Sequence, residues 1–208
     1  MKIRPEELTE KGYVQLDKLE HKELVLFIRT YMKKRTKYSV FYYLSNIIVF
    51  GLVGYLFVQD FNLPTYSLGA RFTHFSYGLA IAFALLPLHE YIHVLAYKSQ
   101  GATNTSYAAN LKKFYFMALA DKFVANKKEF EVVALAPFII ITTTLIILLF
   151  VVSSSWTLTV ASILLAHTAM SSGDFGLLSY FEFNKDKNPV TYDDIENKIS
   201  YFYAQNGE

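Results

Sequence analysis

Four stretches without a charged side chain constrain this chain more than any other feature. Tyr38 to Val58, Val132 to Val152 and Ser153 to Gly173 each run for 21 residues, and Phe72 to Leu88 runs for 17. About 20 apolar residues at ~1.5 Å each cross a hydrocarbon core of ~30 Å. Long helices of soluble proteins alternate polar and apolar faces, and these stretches do not. The pattern predicts four transmembrane helices, the second continuing through "HEYIHVLAY" to Tyr97. Four long core helices of a soluble protein are the alternative, and the missing polar faces count against it. Composition points the same way, with 53% hydrophobic and 18% charged residues, against roughly 45–50% and 25% in globular chains.

The charges that remain set a topology. Residues 1–37 carry ten Lys and Arg side chains, and Lys98 to Phe130 carries six lysines. The positive-inside rule places both segments, and after four spans the C-terminus too, in the cytoplasm. Three regions follow: a cytoplasmic amphipathic segment over 1–37, a four-helix transmembrane domain over 38–180, and a cytoplasmic tail over 181–208. Leu8, Tyr13 or Leu16, Leu19, Leu24, Phe27 and Tyr31 give the first region an imperfect helical stripe. No cleavable signal peptide opens it. Between the second and third spans, alternation around Phe114, Phe116 and Ala118 predicts one or two short strands. The expected fold class is an all-α membrane protein with a short cytoplasmic β insertion. The absence of cysteine excludes disulfides, thiolate metal sites and a cysteine nucleophile. A net charge of +2 gives no reason to expect a nucleic-acid partner.

Within the second stretch lies "LLPLHEYIHVLAYK". Ionisable groups inside a membrane span are expensive and usually functional. His89 and His93 are four residues apart and share a helix face, so both imidazoles can reach one ion. Glu90 follows the first histidine. This is the H-E-x-x-H pattern, in which two histidines hold zinc and the glutamate acts as general base. Zinc brings the pKa of a coordinated water toward ~7, and the glutamate can move its proton to a leaving amine. The bland reading is that the three residues cap the cytoplasmic end of the span in interfacial water.

Such a site needs a third protein ligand and an open position. His74, Glu131, His167 and Asp174 are the remaining acids and histidines in the predicted spans. His74 is more than ~20 Å from His89 along the helix axis. Glu131 begins span three at the interface, where it and Glu129 have a ready solvated role. Asp174, in "HTAMSSGDFG", lies in the second half of span four, at the depth of His89 and His93 if both spans run outside to inside. The small residues before it permit close helix approach. Its bland reading is a helix end at the interface. His167 lies two turns earlier on the same face and reads as a packed histidine or as support behind a ligand. Pro137 interrupts span three and is a place where that helix can kink.

HEYIH on a membrane helix, then "ALAPFIII", then "SSGD" on the last span resemble the zincin peptidase family of small bacterial membrane proteins. That family is similar in plan to the site-2 proteases, which cut peptide bonds within or near the membrane. The resemblance covers residues 70 to 185. It implies His89, His93 and Asp174 as zinc ligands and Glu90 as catalytic base. In site-2 proteases the aspartate commonly has an asparagine and proline upstream and a glycine after it; here Gly173 precedes Asp174 and the asparagine and proline are missing. The oxyanion-stabilising role is therefore unassigned, with His167 and Ser171 as candidates. No separate peptide-binding domain is evident, and a strand within 105–120 could pair with an extended substrate.

The leading expectation is a zinc metalloendopeptidase of the bacterial plasma membrane, cutting membrane proteins or peptides near the cytoplasmic face, with the lipid bilayer as its other partner. The alternative is a non-catalytic metal-binding scaffold or transporter accessory subunit. A metal or proton carrier ranks last, because the outer half offers almost no ionisable group apart from His74. Oligomeric state is left open.

Overall fold

The computed structural model describes residues 2–61, 67–110 and 115–205. The chain is mostly helical and divides into two compact units. The sheet unit comprises Met1–Ser39, Glu90–Ala136 and Gly173–Glu208; the helical unit comprises Val40–His89 and Pro137–Ser172.

The helical unit is built on α2 (Lys37–Phe61), α3 (Leu68–Ala84), the second part of α5 (Lys127–Val151) and α6 (Ser154–Met170). Helices α3 and α6 make its closest approach. A Cβ at Gly78 would run into the Ser162 hydroxyl and the Thr159 carbonyl, so only glycine fits there. His74 Nδ1 lies 3.0 Å from Thr159 Oγ1, which donates back to the His74 carbonyl at 3.1 Å. This histidine is used in helix packing. Tyr42 on α2 donates to the Ala169 carbonyl at 2.8 Å.

Three helical stretches are long and apolar enough to cross a membrane: Lys37–Gln59, Leu68–Ser99 and Lys127–Val151. The second contains a break. Pro87 has no N–H to return to Phe83, and the helix pauses at Leu85 before resuming as α4 (Leu86–Ser99). The fourth expected span is shorter than the others. α6 has 17 residues and gives way at Ser171 to a separate helix, α7 (Ser172–Phe183).

The sheet unit corrects the all-α expectation. Its four-stranded antiparallel sheet has the order β1-β6-β5-β4, with β1 (Tyr13–Glu20), β4 (Ala125–Asn126), β5 (Val190–Asp194) and β6 (Ile199–Gln205). The amphipathic helix expected from Leu8 to Tyr31 is instead this first strand followed by α1 (Leu24–Met32). A bulge between Gln15 and Asp17 explains the misreading. It adds a residue to the strand and so breaks the period of two. The half-buried Leu16 and the buried Leu19 are left at a helix-like spacing of three. The residues expected as a tail supply β5 and β6.

The insertion contains two short strands, as expected. β2 (Thr105–Asn110) pairs antiparallel with β3 (Tyr115–Ala120); Phe114, named in that expectation, lies outside the described residues. Phe175, Tyr180 and Phe181 of α7 are almost fully buried with Phe202 of β6, and stacked pairs such as Phe130–Phe181 at 4.7 Å join helix to helix. Asn126 caps α5, its side chain accepting from the Lys128 and Glu129 amides at 2.9 and 3.1 Å while Glu129 accepts from the Asn126 amide at 3.0 Å. Glu129 is thereby a capping residue, paired also with Lys2 at 2.8 Å.

Candidate metal centre

Helix α4 is inverted relative to an ordinary surface helix. Leu88, Tyr91 and Leu95 face outward at 47–53% exposure, while His89, Glu90 and His93 are buried at 6–7%. The polar residues of the H-E-x-x-H motif thus occupy the protected face. Their donor atoms lie within 4.8 Å of one another, close enough for one ion. All are nitrogen or carboxylate oxygen, a set that suits zinc.

Two further contacts orient His93. Its Nδ1 lies 2.9 Å from the Val133 carbonyl. A carbonyl only accepts, so Nδ1 carries the proton and Nε2 is left for the other side. Nε2 points at Asp174, 3.1 Å from Oδ1. The Val133 carbonyl is available for a reason legible in the sequence. In a regular helix it would accept from the amide of residue 137, and residue 137 is proline. A ligand histidine held by a backbone carbonyl through its second nitrogen is a recurrent device of metal sites. Here the proline creates the free acceptor, a sharper role than the kink expected of it.

Asp174 sits in the first turn of α7. Small residues let α1 close on this turn. A Cβ at Gly176 would approach Ile28 Cγ2 to 2.6 Å, and one at Gly173 would lie 3.8 Å from Ile28 Cδ1. The tight approach is at Gly176, after Asp174, and its partner is α1; Gly173, before Asp174, makes only ordinary contact.

On the other side of α4, His89 Nδ1 lies 3.4 Å from His167 Nε2, and His167 Nδ1 lies 3.5 Å from Thr142 Oγ1. The His167 ring stacks on Phe138 with centroids 6.5 Å apart. His167 is therefore buried against a motif histidine. Ser171 is fully buried, and its hydroxyl donates to the His167 carbonyl at 3.0 Å. That bond closes the last turn of α6.

A cleft in the sheet unit reaches these residues, with about 720 Å³ of atom-free space, part of it open to solvent. Glu90, His93 and Asp174 line it. So do Tyr97 and Asp193, which sequence reasoning missed. Tyr97 was detectable as the next position on the Glu90–His93 face, at i+7 from Glu90. Asp193 had no local signal, because β5 brings it in from a distant part of the chain.

A buried H-E-x-x-H turn with an aspartate against its second histidine, on a helix apolar enough for a membrane, has the make-up of a metallopeptidase centre. The family described as "Putative zincin peptidase" matches residues 82–187, about half of the chain, and its match includes HEYIH and Asp174. The chain belongs to that family. No curated protein and no solved structure matches it.

Proposed function

We propose that this protein is a membrane-embedded zinc metallopeptidase, similar in plan to the site-2 proteases, that hydrolyses membrane or juxtamembrane segments near the cytoplasmic face. The observation that carries the reading is the buried turn of α4 with Asp174 3.1 Å from His93. His89, His93 and Asp174 are the ligands in this reading. Zinc, when bound, polarises the scissile carbonyl and makes water a better acid. Glu90 takes the water proton and delivers it to the leaving amine. The Val133 carbonyl fixes the ring of His93, and His167 faces the ring of His89. β3 pairs with β2 on one side and lines the cleft through Phe116 to Leu119. An extended substrate pairing with this strand would be held beside Glu90. In this reading α6 makes a fourth crossing, since 17 residues at ~1.5 Å is the lower limit for a span, and both chain ends lie in the cytoplasm of a bacterium.

The test is metal content of detergent-purified protein, wild type beside His89→Ala and Asp174→Ala, followed by cleavage assays on wild type and Glu90→Gln. One zinc per wild-type chain, weakened in both alanine variants, with zinc retained but cleavage lost in Glu90→Gln, is the expected result. Zinc bound without any effect of Glu90→Gln would replace the peptidase with a metal-binding scaffold.

A further inference from the structure

The cleft has a second polar pole. Asp193, on β5, lines it together with Tyr97. The Asp193 carboxylate accepts from Ser200 Oγ at 2.6 Å and from the Ala120 amide at 3.3 Å, which fixes its position at the end of β3. It has no ion pair among the described residues, and the cleft lining contains no lysine or arginine. Asp121, paired with it in an isolated β-bridge, is a second acid.

Tyr97 supplies an independent observation. It is only 6% exposed and stands in the cleft wall one turn beyond His93. Asp193, Asp174 and Glu90 line the same cleft. A hydroxyl and a carboxylate on the walls of one cleft offer an incoming polar group two bonds.

The remaining walls are apolar and include Leu24, Ile28, Met117, Phe130, Leu177 and Phe202. An apolar sleeve ending in a carboxylate suits a long aliphatic stem with a charged head. Charge counting sharpens this. A dication at the motif would balance Glu90 and Asp174, leaving Asp193 as the uncompensated acid of the cleft.

We propose that this pole is a subsite for a lysine or arginine side chain of the peptide substrate, with the Asp193 carboxylate and the Tyr97 hydroxyl as its polar partners. The subsite rests on the peptidase reading above and names its substrate class: a segment with a basic residue close to the scissile bond.

The probe is a set of acetylated alanine–leucine decapeptides that differ only at one central position, which is lysine, arginine or norleucine. Capture by zinc-loaded, full-length Glu90→Gln protein is compared with cleavage by wild type. The basic peptides should be captured about tenfold or more over norleucine, the scale of one charged hydrogen bond. Adding Asp193→Asn should erase the preference. Adding Tyr97→Phe should reduce it severalfold, and this variant carries the test if Asp193→Asn does not fold. Equal capture of all three peptides, capture of none, or a preference that survives both substitutions would overturn the subsite. Selective capture of basic peptides that wild type never cleaves would leave the subsite standing and sink the peptidase reading instead.

Discussion

In the helical unit many of the largest side chains point outward. Phe50 and Phe150 are 69% and 86% exposed, while Ser162 and Thr168 are fully buried. The sheet unit has the opposite arrangement, with Phe175, Phe181 and Phe202 inside and lysines and glutamates outside. The contrast follows from the solvent. Where the surroundings are hydrocarbon, exposing phenylalanine costs nothing, and helices associate through small residues and hydrogen bonds. Where the surroundings are water, burying aromatic area supplies most of the stability. Buried His93 of α4 can persist because its partners, the Val133 carbonyl and Asp174, come from the sheet unit itself.

Experiments can break or sharpen that contrast. The largest effect belongs to chemistry: Glu90→Gln should lower peptide cleavage by about 10²–10⁴-fold, the range for losing a general acid–base, with zinc content unchanged by metal analysis. Next is packing in the helical unit. Gly78→Val should cost about 3 kcal/mol or more, because it meets a backbone carbonyl that cannot move aside. Its counterpart in the sheet unit, Gly176→Ala, meets mainly the Ile28 side chain and should cost less, about 1–3 kcal/mol. Equal losses in detergent unfolding would erase the distinction between a glycine used for helix contact and one used for side-chain room.

Pro137→Ala sets the two kinds of stability against each other. The new amide would compete for the Val133 carbonyl, so zinc affinity should fall about 10–100-fold, while thermal stability of the metal-free protein holds or rises. Unchanged affinity in a competition titration would remove Pro137 from the account of His93.

The smallest effect is a pH dependence of the sheet unit. Burial pushes the Asp193 carboxyl up to about 6, against the opposing bonds from Ser200 and Ala120. The native state therefore binds this proton more tightly than the unfolded chain does. Asp193 destabilises the fold above pH ~6, and wild type should gain on Asp193→Asn as pH falls from about 6 to 4. The gain should be about 2 kcal/mol, allowing for partial exposure of the carboxyl. A stability difference that is flat with pH would show that the group is better solvated than its position implies.

How much of this was legible in the sequence depended on how far apart the interacting residues lie. The apolar spans and HEYIH are local patterns, set by helix period and hydrocarbon thickness. Asp174 could be chosen because topology brought it to the depth of His93. The strands were harder. β1 was disguised by its bulge, and β5 and β6 show their alternation at Ser200, Phe202 and Ala204 only once the turn over 195–198 is recognised. Asp193 and the Val133 carbonyl could not be found by pattern, since each matters through a partner far along the chain. The proline that frees Val133 was visible from the start, but a missing hydrogen bond has meaning only when the atom that replaces it is known.

The pairing of β1 with β6 has a consequence in time. Glu20 stands opposite Ile199, and Tyr13 opposite Gln205. At a synthesis rate of about 5–20 residues per second, β1 waits roughly 10–40 s for its partner strand. Leu19 on β1 and Ser200 and Phe202 on β6 are walls of the same cleft. The apolar helices can enter the bilayer during that interval, but the cleft beside Glu90 lacks these walls until the last strand emerges. A growing chain of this protein therefore carries HEYIH for about half of its synthesis without the walls that complete the cleft beside it.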